Sequence, residues 1–335
     1  MKKVSVITPC YNVEEYIKTF LDSIVNQTIG TDNIELILID DSSTDNTPEI
    51  IREYEQNYPD MILAIFNEVN IKQGTCRNIA LDNYVSGEYF CFIDSDDAVP
   101  PYYLEYLYNT ARLNNADVIQ LKSSSDTNDI AASPAMLTYD TFICDTTDKR
   151  KDFLLNPAIM TESCLCKFIN KNYYFADGVA YEEPLFTHPI KHTAKIICRI
   201  NEPIYYYRIN PNGTMQEYMQ RYDTICQHML VQLETYNYVK EHLDIDTFLY
   251  EMQLYFVHTF FYETIIFLNA RQMPLTAELV RYMCSITKQI IPDIMSNPYL
   301  GKEGTYEHRE VADYIDSYNH NGNISVLINK LKELK

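Results

Sequence analysis

Residues 34–41 read Ile-Glu-Leu-Ile-Leu-Ile-Asp-Asp, and this stretch decides the fold class. A continuous apolar run of this length is typical of a parallel strand that is buried on both faces. Similar short apolar runs occur at residues 4–8, 61–66, 89–93 and 117–121. Helical patterns separate these runs, and the alternation of strand and helix predicts a doubly wound, mainly parallel α/β sheet of the Rossmann type.

Two acidic clusters directly follow strands of this predicted sheet. Asp40-Asp41 ends the run that begins at Ile34, and Asp94-Ser95-Asp96-Asp97 ends the run at 89–93. Ligands of open α/β sheets bind in the crevice beyond the carboxyl ends of the strands. The fold is therefore expected to bring both clusters to one rim of the sheet.

The spacing Asp94-Ser95-Asp96 is compatible with a metal site. Carboxylates packed this closely repel one another unless water or a cation neutralises them. Mn²⁺ and Mg²⁺ bind carboxylate oxygens together with phosphate oxygens, so a metal–diphosphate complex fits the chemistry. The alternative is an acidic loop that favours the N-terminus of the next helix.

The pair Asp40-Asp41 has two interpretations of its own. A carboxylate at a strand end can accept hydrogen bonds from a nucleobase or a ribose, or it can stabilise a turn. The sequence contains neither a G-x-G-x-x-G nor a Walker loop, so it lacks the usual glycine-rich phosphate cradle. A metal ion is then the obvious way to hold a diphosphate.

The segment after the first strand predicts a helix that starts near Val13, with apolar residues at helical spacing up to Val25. Asn12 is expected to cap its N-terminus, and Glu15 stands three residues later as in a capping box.

Composition limits the partners of the chain. The 335 residues carry a formal net charge of −20, which argues against a nucleic-acid partner and against simple electrostatic attachment to anionic membranes. Nine cysteines lie at irregular spacing, and no signal-peptide pattern precedes the first strand. These features predict a cytoplasmic protein with reduced thiols. The most apolar window, 252–268, is too short and too polar for a membrane span.

The character of the sequence changes near Pro211-Asn212-Gly213. We expect one domain at 1–212, which includes the predicted sheet, and a helical module at 213–335. Aromatic residues at helical spacing in the second part are typical of a core. The pattern leaves open whether this module contacts an acceptor, a membrane-bound carrier or a second copy of the chain.

Several motifs in a fixed order resemble family 2 glycosyltransferases. They are Val4-Ser5-Val6-Ile7-Thr8-Pro9-Cys10-Tyr11-Asn12, Ile39-Asp40-Asp41-Ser42-Ser43-Thr44-Asp45, Arg77-Asn78, and Gly87-Glu88-Tyr89 leading to Ile93-Asp94-Ser95-Asp96-Asp97. The strong resemblance covers about residues 1–125, with weaker similarity to about 212. It implies an inverting enzyme with the GT-A fold, located in the cytoplasm or at the inner face of the membrane.

The resemblance also implies roles for individual residues. Asp96 would bind Mn²⁺ or Mg²⁺ directly, and Asp94 would contribute to the metal site and approach the ribose. The residues expected to contact the nucleotide-sugar donor are Pro9, Tyr11, Asp40, Asp41, Arg77, Asp94 and Ser95. Tyr205-Tyr206-Tyr207-Arg208 is similar to a family segment that closes the domain, in which Arg208 either approaches the diphosphate or packs.

Inverting transfer needs a general base that takes the proton of the acceptor hydroxyl. In the family this base often belongs to a Glu-Asp pair at the start of a later helix, and Tyr181-Glu182-Glu183-Pro184 resembles that segment. This chain has Glu183 where aspartate is usual. The resemblance implies Glu183 as the base, with Glu182 as its neighbour or substitute; the alternative is that both residues only favour a helix N-terminus.

Three functions compete at this point. The first is transfer of a hexosyl or N-acetylhexosaminyl group, most commonly from a UDP-sugar in the family, to a hydroxyl of a glycan or lipid-linked acceptor. The second is a catalytically inactive protein that binds nucleotide sugars, which the replacement at Glu183 would favour. The third is a sugar nucleotidyltransferase, which would need a glycine-rich basic loop after the first strand, where Pro9-Cys10-Tyr11-Asn12 stands instead.

Overall fold

A computed structural model describes residues 2–155, 167–169, 174–211, 213, 221–299 and 309–317. The chain divides into two compact units, one of residues 1–146 and 158–211, the other of residues 147–157 and 212–335. The predicted boundary residue Asn212 lies outside the described residues. The helix Thr147–Leu155 groups with the second unit, whereas the sequence assigned it to the first domain.

The first unit is built on one eight-stranded sheet with the order β3-β2-β1-β4-β7-β5-β8-β6. The strands are β1 (Val4–Cys10), β2 (Ile34–Asp40), β3 (Ile62–Phe66), β4 (Tyr89–Phe92), β5 (Val118–Ser124), β6 (Tyr139–Ile143), β7 (Lys167–Ile169) and β8 (Ile196–Tyr206). Strands β3, β2, β1 and β4 are mutually parallel, as are β5 and β8. β7 runs antiparallel between β4 and β5, and β6 runs antiparallel to β8. The predicted α/β class with a mainly parallel sheet is confirmed.

Helices lie in most of the connections between successive strands of this sheet. They are α1 (Ile17–Val25), α2 (Thr47–Asn57), α3 (Gln73–Asn83), α4 (Tyr103–Asn114) and α6 (Glu183–Thr193). α1 buries one apolar stripe, which includes Ile17, Phe20 and Ile24, against a core that also contains Val6 and Leu36 from the sheet. Burial of each such side chain stabilises the fold by about 1.5–3 kcal/mol, so α1 is held firmly against the sheet.

The prediction that Asn12 caps the first helix is wrong. α1 begins at Ile17, four residues later than the apolar spacing suggested, and Tyr16 stands at its N-cap position. Asn12 instead adopts a left-handed φ of 52°, which asparagine tolerates better than most residues. Its Oδ1 accepts hydrogen bonds from the backbone N–H and the hydroxyl of Thr44. Pairing with a neighbouring loop therefore replaces the predicted cap.

The second unit is helical and has its own apolar core. Its helices are α5 (Thr147–Leu155), Tyr222–His242, Leu249–Phe256, Thr264–Ala270, Ala277–Ile290 and Arg309–Ser317, with a π-helical segment at Val257–Glu263. Aromatic and aliphatic residues such as Phe256, Phe261 and Ile265 are completely buried, as the aromatic spacing indicated. Within the described part of the chain, no helix combines the length and the apolar character that a bilayer crossing requires.

Candidate active site

The two acidic clusters lie on one edge of the sheet. β1 lies between β2 and β4, and all three strands run in the same direction. Asp41 follows the last residue of β2, and Asp94 comes two residues after β4. Because the carboxyl ends of parallel strands meet at the same edge, both clusters border one crevice. This is the geometry that the sequence predicted.

Asp94, Asp96 and Asp97 form a compact group of carboxylates. One oxygen atom from each lies within 4.8 Å of the others, a separation that a single cation can bridge. Burial raises the pKa of Asp94 to about 6, although Arg77 opposes the shift. Burial and the charge of Asp94 raise the pKa of Asp97 to about 8. These shifts reflect burial first and neighbouring negative charge second, and a bound divalent cation would favour the charged carboxylates.

The three carboxylates differ in the oxygen atoms that they can offer. Asp97 is almost fully buried, and its oxygens accept bonds from the Tyr205 hydroxyl (2.6 Å) and the Arg208 backbone N–H (2.8 Å). Asp94 accepts one bond from Arg77 through Oδ1, and Asp96 accepts one from Asn210 through Oδ2. Among the described residues, Asp94 Oδ2 and Asp96 Oδ1 accept no further hydrogen bond. Hard oxygen donors of this kind fit Mn²⁺ or Mg²⁺.

A segment from the end of β8 supports this cluster, and the sequence reasoning largely missed it. The Tyr205 hydroxyl accepts a bond from the Asp94 N–H (3.2 Å) while it donates to Asp97. An isolated bridge between Ala98 and Tyr206 joins the two chain segments. The only sequence signal was the family-like run Tyr205 to Arg208, because more than a hundred residues separate Tyr205 from Asp94.

Arg208 is held beside the carboxylates by its backbone and its side chain. Its Nε donates to the backbone oxygen of Asp96 at 2.7 Å, and its guanidinium lies 5.2 Å from the Tyr16 ring and 5.3 Å from the Tyr206 ring. Such cation–π contacts fix the guanidinium plane. Its terminal nitrogens donate no hydrogen bond to any other residue that the structure describes.

Asp41 is occupied by the loop that leads into α3. Its carboxylate accepts bonds from the Asn67 side chain (3.0 Å) and from the backbone N–H groups of Ile71 and Lys72 (both 2.9 Å). Lys72 has a φ of 75°, a strained value for a residue with a side chain. A carboxylate offers about four acceptor positions; these three bonds, the Cys76 thiol beside the carboxylate and an exposure of 3% mean that the protein itself engages most of the acceptor capacity of Asp41. The predicted contact between Asp41 and a nucleobase stays a prediction.

Asp40 and Ser95 are buried to a similar degree as Asp41. Asp40 Oδ2 accepts a bond from the Ser43 N–H (3.1 Å), and burial raises the pKa of Asp40. Asp40 Oδ1 is buried without a hydrogen-bond partner among the described residues. The Ser95 side chain is buried and interacts with the Cys10 thiol. Their burial favours support of the rim over contact with the donor.

Pro9 and Tyr11 lie at the carboxyl end of β1. Tyr11 is 48% exposed, which is uncommon for a tyrosine that only packs in a core. Pro9 lies inside β1, opposite Ile39 of β2. Beside Tyr11, the Asn12 N–H donates to the Ser43 hydroxyl at 2.9 Å. The exposed ring therefore stands on a loop that is hydrogen-bonded to its neighbour, as a platform for a planar ligand would require.

Arg77 occupies a different environment from the one expected. It is 1% exposed, and its guanidinium donates to Glu182 Oε1 at 2.7 Å and to Asp94 Oδ1 at 2.9 Å. The rings of Phe92 and Phe175 lie 5.7 and 5.3 Å from it. This burial favours a role in which Arg77 holds two carboxylates together. The direct contact of Arg77 with a nucleotide stays a prediction.

Glu182 and Glu183 stand at the start of α6, as predicted, but they differ in environment. Glu182 is completely buried and paired with Arg77, whereas Glu183 is partly exposed. Burial and the neighbouring charge of Glu182 raise the pKa of Glu183 to about 8, although Arg77 opposes the shift. A partly exposed carboxyl group with this pKa can exchange a proton with a substrate near neutral pH.

His188 and His192 lie one turn apart on α6, with ring centroids 5.3 Å apart. Within the described ranges, no third ligand joins them, and the group of Asp94, Asp96 and Asp97 is the one cluster that could hold a metal ion.

Comparisons with known proteins agree with this geometry. The family described as Glycosyl transferase family 2 matches residues 5–175. Over 211 residues the chain is 31% identical to the poly(ribitol-phosphate) beta-glucosyltransferase of Bacillus spizizenii, covering 63% of this chain and 33% of that protein. It is 27% identical to the putative glycosyltransferase EpsH of Bacillus subtilis, covering 65% of this chain and 64% of EpsH. The matched part thus spans between one third and just under two thirds of these relatives.

Solved structures match the fold across most of the chain. The crystal structure of S. aureus TarS aligns with a TM-score of 0.64 at 21% identity and covers 93% of this chain and 52% of TarS. The structure of TarS residues 1–349 in complex with UDP-GlcNAc aligns with a TM-score of 0.53 at 20% identity, covering 86% and 89% of the two chains. At this identity the likeness concerns the fold, and it supports the GT-A-like architecture predicted above.

Proposed function

The chain belongs to glycosyl transferase family 2, and from this premise we propose that its first unit transfers a sugar, with inversion, from a nucleoside-diphosphate sugar to a hydroxyl group. The observation that carries the proposal is the cluster of Asp94, Asp96 and Asp97 at the sheet edge where β2 also ends and Asp41 follows. Arg77 links this cluster to the start of α6, because it bonds both Asp94 and Glu182, the neighbour of Glu183. Donor-holding groups and a group able to accept a proton thus belong to one compact unit.

The donor is proposed to be a UDP-sugar that carries a hexosyl or N-acetylhexosaminyl group. Relatives whose names specify glucosyl or N-acetylglucosaminyl transfer support this choice, as does the fold shared with the UDP-GlcNAc complex of TarS. Tyr11 would stack on the base, and Asp41 would face the base from the end of β2. Asp40, Arg77 and Ser95 are buried and would hold in place the residues that contact the donor.

Asp96 and Asp94 would hold a divalent metal, Mn²⁺ or Mg²⁺, through Asp96 Oδ1 and Asp94 Oδ2. When bound, such an ion stabilises the charge that develops on a leaving diphosphate. Asp97, whose oxygens are already bonded to Tyr205 and Arg208, would keep the cluster rigid. The terminal nitrogens of Arg208 would donate to the diphosphate, because Nε is already anchored on Asp96.

Glu183 is proposed as the general base. Its carboxylate would accept the proton of the acceptor hydroxyl while the oxygen attacks the anomeric carbon from the face opposite the diphosphate. Glu182 cannot readily take this role, because it is completely buried and bonded to Arg77. Burial of Glu183, together with the charge of Glu182, raises the pKa of Glu183 and makes it a stronger base.

The acceptor is proposed to be a hydroxyl of a glycan or of a lipid-linked glycan, and the second unit is a candidate for contacts with the acceptor, a membrane surface or a second copy of the chain. A reducing, cytoplasmic environment is supported by the seven described cysteines, all of which are free. The negative net charge supports the absence of a nucleic-acid partner.

A panel of nucleotide sugars, tested for transfer and for slow hydrolysis with Mn²⁺, Mg²⁺ or EDTA, tests the proposal. We expect turnover of at least one UDP-sugar with metal and none in EDTA. Asp96→Asn should lose this turnover, whereas Asp140→Asn, the same change on the distant strand β6, should retain it. An inactive binding protein would instead bind UDP with metal but turn over no sugar in the panel, and that result would contradict the proposal.

A further inference from the structure

One face of the helix α3 contacts the segment 175–182, which leads to the proposed base Glu183. Residues 74, 75, 77 and 78 all meet the chain between Phe175 and Glu182, and their spacing places them on adjoining positions of one helical face. The family resemblance drew attention to Arg77 as a nucleotide contact, but it gave no role to Asn78. In the structure Asn78 makes three hydrogen bonds with this segment.

Asn78 binds the backbone of Phe175 in the way that a neighbouring strand would. Its Nδ2 donates to the Phe175 carbonyl oxygen at 2.9 Å, and its Oδ1 accepts from the Phe175 N–H at 2.8 Å. Nδ2 also donates to Asp177 Oδ1 at 2.9 Å. Asn78 is buried, so these bonds replace water that the Phe175 backbone would otherwise need.

Two neighbours of Asn78 fix the same segment. The Gly178 N–H donates to the Thr75 hydroxyl at 3.0 Å. Gly74 allows α3 to approach closely, since a Cβ atom there would lie 2.7 Å from the Ala176 carbonyl oxygen and 2.8 Å from Glu182 Cγ. The helix and the segment are therefore in contact without room for a side chain at position 74.

The segment itself is short and closed. The Ala176 N–H donates to the Glu182 carbonyl oxygen at 3.4 Å, and Phe175 stacks on Phe186 of α6 with centroids 4.3 Å apart. Tyr181 has a left-handed φ of 59° directly before the two glutamates, a conformation that persists only when the surroundings impose it. The position of the first turn of α6 thus depends on contacts with α3.

We propose that Asn78 is a positioning residue for the base Glu183: its amide holds the backbone of Phe175 and the side chain of Asp177, and thereby fixes where α6 begins. The inference rests on the proposed function, because Glu183 must act on an acceptor for its position to matter. Asn78 touches neither the metal-site carboxylates nor Tyr11 in the described structure. A loss at Asn78 should therefore appear in turnover and leave the donor site intact.

The test compares Asn78→Asp with Asn83→Asp, the same change on the same helix. The aspartate at 78 can still accept from the Phe175 N–H but cannot donate to the Phe175 carbonyl, and it faces the carboxylate of Asp177. Asn83 is exposed and bonds only to its own helix, so its variant should behave as the wild type. We expect Asn78→Asp to lower kcat by about 10- to 100-fold, since misplacement of a reacting group by about 1 Å can cost about 100-fold, with the donor KM and the metal-dependent UDP affinity within about twofold.

A compensating variant makes the assignment specific. In Asn78→Asp/Asp177→Asn the amide at 177 can donate to the new carboxylate at 78, so kcat should recover several-fold relative to Asn78→Asp. If Asn78→Asp does not give folded protein, Thr75→Val removes the acceptor for the Gly178 N–H with little change of shape, and a loss of kcat with unchanged donor KM supports the proposal in the same way.

Three results would overturn the inference. They are a kcat of Asn78→Asp equal to that of Asn83→Asp, a parallel loss of donor affinity and turnover, and a double variant no more active than Asn78→Asp. Failure of the proposed function looks different, because the wild-type protein itself would then show no transfer.

Discussion

Replacement of Arg77 by methionine should destabilise the first unit strongly, because it removes the only described charge partner of a completely buried carboxylate. Glu182 is 0% exposed, its Oε1 lies 2.7 Å from Arg77 Nη1, and its Oε2 has no partner among the described residues. Loss of one member of a buried ion pair costs about 3–5 kcal/mol. Asp94 also loses its hydrogen bond from Arg77, but the Asp94 side chain is 29% exposed, so water can replace much of the lost interaction.

A loss of about 3–5 kcal/mol is large for a protein domain, because unfolding free energies are commonly about 5–15 kcal/mol. The methionine side chain can still pack between Phe92 and Phe175, so most of the loss should come from the unpaired charge. The double variant Arg77→Met/Glu182→Met removes both charges. It should recover most of the lost stability, since apolar residues of similar volume often replace a buried pair at little cost.

The assay is urea unfolding followed by far-UV circular dichroism. In the wild type, the transition of the first unit is identified as the one that UDP with Mn²⁺ moves to higher urea concentration. Arg112→Met is a matched control, because Arg112 pairs with Glu88 at an exposed site and should matter little. The reasoning is refuted if Arg77→Met unfolds at the same urea concentration as Arg112→Met. If the double variant is as unstable as Arg77→Met, lost packing and not the uncompensated charge explains the effect.

Three further predictions concern the base and the acidic cluster. Glu183→Gln should keep metal-dependent UDP binding and lower kcat by about 100- to 10,000-fold, as measured by steady-state kinetics; normal transfer by this variant would show that another group is the base. In the wild type, log kcat should rise with pH and level off above the pKa of Glu183, about 8, because only the deprotonated carboxylate accepts a proton; a flat profile from pH 6 to pH 9 would contradict this. Tyr205→Phe should lower the unfolding free energy by about 1–3 kcal/mol, because Asp97 loses its hydroxyl donor while buried; urea unfolding equal to that of the wild type would refute the supporting role of Tyr205.

Local sequence patterns were sufficient to predict the first half of the sheet. The apolar run at 34–39 became β2, Ile34–Asp40, and the run at 89–93 became β4, Tyr89–Phe92. These strands are buried on both faces, so their composition reports their environment directly. The acidic residues after them could be located for the same reason, because a parallel sheet brings its strand ends to one edge.

The antiparallel strands could not be predicted from local patterns. β7 has three residues and pairs with β4 and β5, both far away in the sequence. β8 runs unbroken from Ile196 to Tyr206 although Pro203 lies within it, because its pairing with β5 shifts register there and tolerates the proline. Short strands of this kind depend on tertiary contacts more than on propensity.

The supporting residues of the site were hidden for a similar reason. The contacts of Tyr205 with Asp97 and of Arg77 with Glu182 span more than a hundred residues each. A single sequence shows that Arg77 is basic, but only the packing of Phe92 and Phe175 around it reveals that its charge is buried. Residue type therefore pointed to the acidic cluster of Asp94, Asp96 and Asp97 more directly than to the residues that support it.

The most direct test of the account is a calorimetric titration of UDP into the protein with Mn²⁺ and with EDTA. If carboxylates on one sheet edge hold a diphosphate through a cation, UDP should bind with Mn²⁺ and show no measurable binding in EDTA. Asp96→Ala should lose the Mn²⁺-dependent binding. Equal UDP affinity with Mn²⁺ and with EDTA, or undiminished affinity in folded Asp96→Ala, would contradict the account.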